Sequence, residues 1–264
     1  MKPSIFDWAT VSVLVKRDVK RFFRQKSRVA GALIQPFLFW LILSAGFTKS
    51  FQAPGIQTLS YKEFSYPGVI LMMVLFTALF ATMSVIEDRN EGFLQGVLAA
   101  PSSRGALVMG KTLGGTFLAM IQVALFLVLL PLAGFHFNQA SWLPLIFILF
   151  LSAFALNAFG FFLAWWLNSV QGYHVMMSLV LMPLWLISGA IFPLDGSSPW
   201  LKRLSQFNPM AYGVEGLRNA FYGGHSPIAS GLIYHTFYFQ YLVLGLLALL
   251  AFLLALYKCK SQRV

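Results

Sequence analysis

Residues 66–86 read YPGVILMMVLFTALFATMSVI, a run that contains no Asp, Glu, Lys, Arg or His. A helix that crosses a bilayer needs about 20 mainly apolar residues, because the hydrocarbon core is about 30 Å thick and each helical residue rises about 1.5 Å. Five other runs have comparable length and composition: residues 29–48, 107–131, 143–168, 174–193 and 236–257. The sequence therefore predicts an all-α integral membrane protein with six transmembrane helices.

The composition agrees with a membrane location. The 264 residues are 58% hydrophobic and 10% charged, with a mean hydropathy of +0.74. A soluble domain is about half apolar and about a quarter charged. Cys259 is the single cysteine, so the chain cannot form an internal disulfide or a cysteine-based metal site. A soluble globular domain is excluded.

The formal net charge of +11 comes largely from basic residues beside the apolar runs. Seven lie just before the first run: Lys16, Arg17, Lys20, Arg21, Arg24, Lys26 and Arg28. Basic residues that flank membrane spans stay on the cytoplasmic side, where they attract anionic headgroups. With both termini inside, fourteen of the 19 Lys and Arg residues fall in cytoplasmic segments. The pattern predicts cytoplasmic termini and contact with membrane lipid, and it disfavours nucleic acid as a partner.

Residues 1–28 form a predicted N-terminal unit, and residues 29–264 form the predicted transmembrane domain. An apolar stripe recurs in the first unit at helical spacing: Trp8, Val11, Val15, Val19 and Phe22. Most basic side chains fall off this stripe, which predicts an amphipathic helix lying along the cytoplasmic interface. A cleaved signal peptide is the alternative, but no convincing small-residue cleavage site follows, so we expect the segment to be retained.

The connection after residues 66–86 begins with charged residues and continues with an apolar face. The face is formed by Phe93, Leu94, Val97 and Leu98. Pro101 is expected to end the helix that carries it. The spacing predicts a short amphipathic helix over about residues 87–100, at the cytoplasmic surface.

The segment 194–235 is the largest predicted external connection. It contains two short helices, over about residues 198–222, that are too short to span. Their landmarks are the helix start Ser198-Pro199, the break Asn208-Pro209, and the i, i+3 pair of Glu215 and Arg218. We expect these helices to lie at, or dip into, the outer leaflet before the last span.

The six runs offer little intramembrane chemistry. None carries Asp, Glu or Arg in its middle, so an intramembrane proton relay is not predicted. The main polar residues are Gln35, Thr77, Thr82, Gln122, Asn157 and Ser178. Such side chains usually join neighbouring helices, although carbonyls and hydroxyls can also build sodium sites.

The four histidines, His136, His174, His225 and His235, show no metal-ligand spacing, and no catalytic constellation can be placed on one face. Neither a metal site nor an enzyme is predicted.

The stretch from Gly105 to Thr112 formally fits the phosphate-binding pattern G-x-x-x-x-G-K-[ST]. That loop functions between a buried strand and a helix, where backbone N–H groups surround the phosphates. Here the pattern runs into an apolar span, and no α/β sheet is predicted. We therefore expect no nucleotide at Lys111, whose ammonium should instead reach the cytoplasmic headgroups.

Two segments resemble those of a known family, the type-2 ATP-binding-cassette (ABC) transporter permeases. One is EDRNEGFLQGVLAAPSSR at residues 87–104, followed by Gly110-Lys111, and the other is NPMAY at residues 208–212, followed by Glu215-Gly-Leu-Arg218. The resemblance covers essentially the whole chain and is strongest to bacterial daunorubicin-resistance and nodulation-factor exporters. It implies a permease in the bacterial inner membrane that forms the pathway as a homodimer or heterodimer. Separate cytoplasmic ATPase subunits would bind the ATP and Mg.

The resemblance also implies roles for particular residues. Phe93 and Leu94 would be apolar anchors of a coupling helix seated in the ATPase, or would merely meet lipid headgroups. Its other contacts would be Glu87, Asp88, Arg89, Glu91 and Gly92. The family's external signature corresponds to Asn208, Pro209, Tyr212, Glu215 and Arg218. Candidates for the pathway, by position alone, are Gln35, Thr77 and Ser188. The substrate, whether drug, lipid or saccharide, stays open, and the alternatives are a stand-alone secondary transporter or channel and a non-transporting assembly protein.

Overall fold

The computed structural model describes residues 7–47, 51, 59–99, 103–224, 226, 232 and 236–261, and these ranges contain α-helices, a short 3₁₀ helix and no strand. The helices are α1 Trp8–Arg24, α2 Lys26–Phe47, α3 Tyr61–Asn90, α4 Phe93–Ala99, α5 Arg104–Leu127, the 3₁₀ helix Leu130–Ala133, α6 Trp142–Trp166, α7 Val170–Leu186, α8 Pro199–Phe207, α9 Pro209–Phe221 and α10 Phe237–Ser261. The all-helical membrane fold is confirmed. The predicted helix stop at Pro101, and two of the histidines, His225 and His235, lie outside the described residues.

Five of these helices are long and apolar enough to cross a bilayer: α2, α3, α5, α6 and α10. The helix at the predicted fifth span, α7, is shorter, with 17 residues. It ends at Leu186 rather than continuing to residue 193, and the chain bends at Gly189, whose φ of +77° suits glycine. The count of six spans is thus matched by five long helices and one short apolar helix.

Helix α3 forms the centre of the bundle, and 83% of the residues in its most apolar stretch are buried. It packs against α2, α5, α6, α7 and α9. At 30 residues it is about 45 Å long and exceeds the hydrocarbon core by about 15 Å. The end of α3 at Asn90 carries Glu87, Asp88 and Arg89 and leads into α4.

Helix α1 does not present the apolar stripe that its sequence predicts. Its buried residues are Val11, Leu14, Asp18 and Phe22, whereas Trp8 is 65% exposed. The inward face packs along the first half of α5, where Gly110 and Gly114 let α1 approach closely. The prediction of an amphipathic helix is confirmed, but part of its buried face is polar because it meets charged residues of α3 and α5.

Both ends of the described chain lie at one end of the bundle. The Arg104 guanidinium, at the start of α5, donates to the Cys259 and Lys260 carbonyls near the end of α10, at 2.8 and 2.9 Å. Because α1 packs beside the start of α5, α1, α4 and the end of α10 share this end, called the α4 end below. The opposite end, built around α8 and α9, is called the α9 end.

Candidate functional site

The predicted coupling segment divides into two structural pieces. Glu87, Asp88 and Arg89 belong to the last turn of α3, which runs on to Asn90. Gly92 then adopts φ +78°, a left-handed conformation that favours glycine, and α4 follows from Phe93 to Ala99. The prediction of one helix over residues 87–100 is therefore wrong in its boundaries, because α3 continues to Asn90 and a turn at Gly92 separates it from α4.

Asp88 lies at the centre of a buried ion cluster. Its carboxylate accepts a bidentate pair of hydrogen bonds from Arg17 of α1, at 2.6 and 2.9 Å, and a hydrogen bond from Lys111 of α5, at 2.5 Å. The guanidinium of Arg21, one turn along α1, also donates to it. Asp88 has no exposed surface. We call Arg17, Asp18, Arg21, Asp88 and Lys111 the Asp88 cluster.

The remaining carboxylates surround the same cations. Asp18 accepts from Lys111 at 3.0 Å and from Arg17 at 3.1 Å. Glu87 and Glu91 lie 3.2 and 3.5 Å from Arg21. The three cations of the Asp88 cluster thus contact its two carboxylates and, in addition, Glu87 and Glu91. These contacts tie α1, α3 and α5 together immediately before α4.

The structure overturns the expectation that Lys111 reaches the headgroups. Its side chain is 1% exposed and bridges Asp18 and Asp88. The stretch Gly105–Thr112 lies wholly inside α5, so the phosphate-binding pattern has neither the loop nor the preceding strand that such a site needs. The Lys111 ammonium is instead paired with the carboxylates of Asp18 and Asp88.

The other predicted coupling residues mostly face inward. Arg89 donates to the carbonyls of Trp165, at 3.1 Å, and Leu167, and so caps the end of α6. Leu94 has no exposed surface and therefore cannot be an outward anchor. Phe93 is half-buried, with the Arg17 guanidinium 3.6 Å above its ring, an arrangement that favours cation–π attraction.

An apolar groove opens between the N-terminal half of α1 and α4. Its volume is about 600 Å³, and Thr10, Val13, Phe93 and Val97 are among the residues that line it. Val13 is 63% exposed. Arg17 forms part of the wall, so the groove lies directly against the Asp88 cluster. We call this the α1–α4 groove.

At the α9 end, the predicted external residues join two helices. The Asn208 side chain accepts from the Met210 backbone at 3.0 Å and caps α9, while its amide donates to the Leu184 carbonyl of α7 at 2.5 Å. Pro209 is the first residue of α9. The Tyr212 hydroxyl donates to the Gln206 carbonyl of α8 at 2.8 Å.

The predicted pairing of Glu215 and Arg218 is confirmed, at 4.0 Å and with both side chains 4% exposed. Burial raises the pKa of the Glu215 carboxyl to about 7, although the Arg218 charge opposes that shift. The Arg218 guanidinium donates to the Gly189 carbonyl at 2.6 Å and lies 4.3 Å from the centre of the Phe64 ring. Sequence spacing indicated the pair but gave no signal for its contacts with the end of α7.

The three pathway candidates are not brought together. Thr77 has no exposed surface, donates to the Met73 carbonyl at 2.8 Å and contacts Gln122 of α5. Ser188 is 2% exposed and donates to the Trp185 carbonyl at 2.5 Å. Both hydroxyls are satisfied within the chain, and their place in a pathway stays a prediction. Gln35 alone lies on an exposed helix face.

Comparison with known proteins identifies the family. The model of the ABC-2 type transporter family matches residues 9–222. Over 216 residues the chain is 30% identical to ycf38 of Porphyra purpurea, a protein named as a transport permease, covering 79% of this chain and 72% of that protein. It is 23% identical over 222 residues to the inner membrane transport permease YadH of Escherichia coli K12, covering 82% of this chain and 84% of YadH. The chain therefore belongs to the ABC-2 type transporter family of membrane permeases.

Proposed function

We propose that this chain is the permease subunit of an ATP-driven exporter, with ATP hydrolysed by separate cytoplasmic subunits that dock in the α1–α4 groove. Permeases of this family work with ABC ATPases in general. The observation that carries the proposal is the contact of an exposed apolar groove with a buried ion cluster. An apolar side chain seated between α1 and α4 would press on elements that the Asp88 cluster joins to two bundle helices.

Charge supports a cytoplasmic position for the α4 end. Lys16, Lys20 and Arg24 are exposed on α1, and Lys258 and Lys260 lie at the end of α10. Basic residues beside membrane spans are retained on the cytoplasmic side. The groove would then face the compartment where ATP is found, and α9 would lie at the external end.

Two copies would form the transport pathway, with ATP binding closing the ATPase pair. Closure would push α1 and α4 together, and the rigid cluster would pass the movement to α3 and α5 rather than let α4 hinge alone at Gly92. The two six-helix halves would thereby shift between access states. In this proposal the permease itself is not an enzyme.

The test measures vanadate-sensitive ATP turnover after co-expression with an ATPase encoded beside this gene. Val13→Asp places a charge in the groove without altering the buried cluster, and Phe207→Asp is the matched control because Phe207 is 85% exposed at the other end. We expect Val13→Asp to lose about tenfold or more of the turnover that the permease stimulates, a cost of about 1.4 kcal/mol. Equal turnover in both variants would reject the groove as the docking site.

A further inference from the structure

The α9 end holds α7 by its carbonyl groups. The last carbonyls of a helix have no partner within the helix and must be satisfied from outside. Asn208 donates to the Leu184 carbonyl at 2.5 Å, and Arg218 donates to the Gly189 carbonyl just beyond the helix at 2.6 Å. Asn208 caps the start of α9 and Arg218 lies in its last turn, and α9 is buried from Met210 to Phe221.

Helix α3 fixes the other side of the same region. The Trp185 indole donates to the Gly68 carbonyl at 2.8 Å, and the Tyr61 hydroxyl donates to the Ile191 carbonyl at 3.0 Å. The end of α7 is thus held between α3, which is central to the bundle, and α9, which is a short helix. Displacement of α9 would remove the Asn208 and Arg218 donors from these carbonyls, whereas the contacts with α3 would remain.

Glu215 introduces a buried charge into this arrangement. One of its carboxylate oxygens, Oε2, is buried without a hydrogen-bond partner among the described residues. The nearest cation, the Arg218 guanidinium, lies 4.0 Å away and is itself buried, with its Nε atom also lacking a partner there. The pair therefore attracts across a gap without the hydrogen bonds that would compensate a buried carboxylate.

Few other charges face this pair. The segment after α7 contributes Asp195, which pairs with Lys202 of α8 at 2.8 Å. Helix α3 contributes Glu63, which accepts a hydrogen bond from the Tyr222 hydroxyl. The neighbouring helices contribute uncharged groups: α6 has no ionisable residue, and α10 brings only the phenols of Tyr238 and Tyr241 to this end. His174 of α7 and Lys258 and Lys260 of α10 lie towards the opposite end of the bundle.

We propose that α9 is a proton-linked clamp on the external end of α7: the closed arrangement takes up a proton on Glu215, and loss of that proton favours release of α7 from Asn208 and Arg218. The external location rests on the proposed function, but the clamp itself does not. A conformation that admits water to Glu215 restores the ordinary acidity of a glutamate. The closed state therefore binds the proton more tightly, and by linkage a rise in pH favours the open state.

The size of the effect follows from the two acidities. Burial raises the pKa of Glu215 to about 7 in the closed arrangement, against an ordinary value of about 4.3. Raising the pH from about 5.5 to about 8.5 should then increase the open-to-closed ratio roughly 30-fold. Most of the change falls below about pH 7, because above it both states have lost the proton.

The test uses the purified full chain in lipid nanodiscs without any ATPase, so its outcome is independent of the proposed docking. Spin labels at Leu186→Cys and Phe207→Cys, in a Cys259→Ser background, report the distance between the end of α7 and the α8–α9 junction; both label positions are exposed. We expect a longer-distance population that grows with pH. Glu215→Gln should stay in the short-distance state at every pH, whereas Glu63→Gln should titrate as the parent does.

Two results would overturn the proposal. One is a distance distribution in the parent that does not change with pH. The other is a Glu215→Gln variant whose distance distribution changes with pH as the parent's does. If Glu63→Gln alone loses this pH dependence, the proton is bound by Glu63 instead. Asn208→Ala supplies an independent check, because a clamp that lacks this donor should show the longer distance even at pH 5.5. A thermal melt at pH 6 verifies that each variant is folded.

Discussion

Asp88 illustrates how a buried charge can be retained in a membrane protein. Its carboxylate has no exposed surface, yet it accepts hydrogen bonds from Arg17, Arg21 and Lys111. A buried ion pair adds little net stability compared with apolar residues, but removal of one partner leaves the others uncompensated. The cluster is therefore better understood as a device that fixes α1, α3 and α5 in one relative position.

Replacement of Asp88 by Asn should test that interpretation. Asp88→Asn keeps the shape of the side chain but removes the charge that three cations share, so we expect the free energy of unfolding to fall by about 3–5 kcal/mol. Glu91→Gln is the control, because the Glu91 side chain is 61% exposed and should change stability by less than about 0.5 kcal/mol. Thermal melts in one detergent measure both, and equal melting temperatures would contradict a structural role.

The sequence could not reveal this cluster. Asp18, Asp88 and Lys111 come from three helices, and no periodic pattern relates residues so far apart in the chain. The phosphate-binding pattern around Lys111 lies within α5, and the expected contact of this lysine with headgroups is wrong because it pairs with Asp18 and Asp88. By contrast, the pairing of Glu215 and Arg218 was predictable because both residues lie on one helical turn.

At the scale of the elements, close helix contacts depend on glycine. A Cβ atom added to Gly68 of α3 would lie 2.5 Å from the Ala190 Cβ and 2.7 Å from its Cα. Backbone cannot move aside as a flexible side chain can, so the segment after α7 would have to shift. Gly68 therefore sets how closely that segment approaches the central helix.

Gly68→Ala should destabilise the fold by about 1–3 kcal/mol, the usual cost of overpacking. Gly245→Ala in α10 is the matched control, because a Cβ there meets nothing within 4 Å and alanine favours a helix by up to about 1 kcal/mol. The measurement is the melting temperature of each variant in the same detergent. A Gly68→Ala protein that melts with or above Gly245→Ala would refute the close contact.

The sequence predicts which segments are helical better than it predicts where each helix ends. Runs of about 20 apolar residues gave the long helices, because chain length and bilayer thickness dictate them. The charged residues after Ile86 suggested that α3 ends there, yet α3 continues to Asn90 because those charges have partners on α1 and α5. The fifth run is predicted to continue to residue 193, but α7 ends at Leu186, and side chains of the α9 end cap the carbonyls there by donating hydrogen bonds to them.

At the scale of the whole molecule, the two ends of the bundle have different chemistry. The α4 end combines an exposed apolar groove with a satisfied ion cluster, and the α9 end combines a buried, weakly paired carboxylate with a helix clamp. Helix α3 connects them, since its two ends contact the Asp88 cluster and the segment after α7. In the proposed exporter, force would enter at one end and the exit would be controlled at the other.

The proposed pairing of two chains can be tested on α2. Its exposed apolar face includes Ile34, Leu38, Leu41 and Ile42, beside the exposed Gln35. Single cysteines at these positions, in a Cys259→Ser background, should give at least one disulfide-linked dimer on mild oxidation in membranes. A cysteine at Leu249 of α10, which is 55% exposed, is the control and should remain monomeric. Dimers from Leu249 alone would place the interface elsewhere.

Site-specific photocrosslinking can detect an ATPase that docks in the α1–α4 groove. A photoreactive phenylalanine analogue replaces Val13 of α1, Gly96 of α4 or Phe207 of α8, during co-expression with an ATPase encoded beside this gene. All three positions are exposed, and the first two line the groove. Docking in the groove predicts adducts with the ATPase from positions 13 and 96 and none from position 207. Absence of adducts from both groove positions, or an adduct from position 207 alone, would contradict docking in the groove.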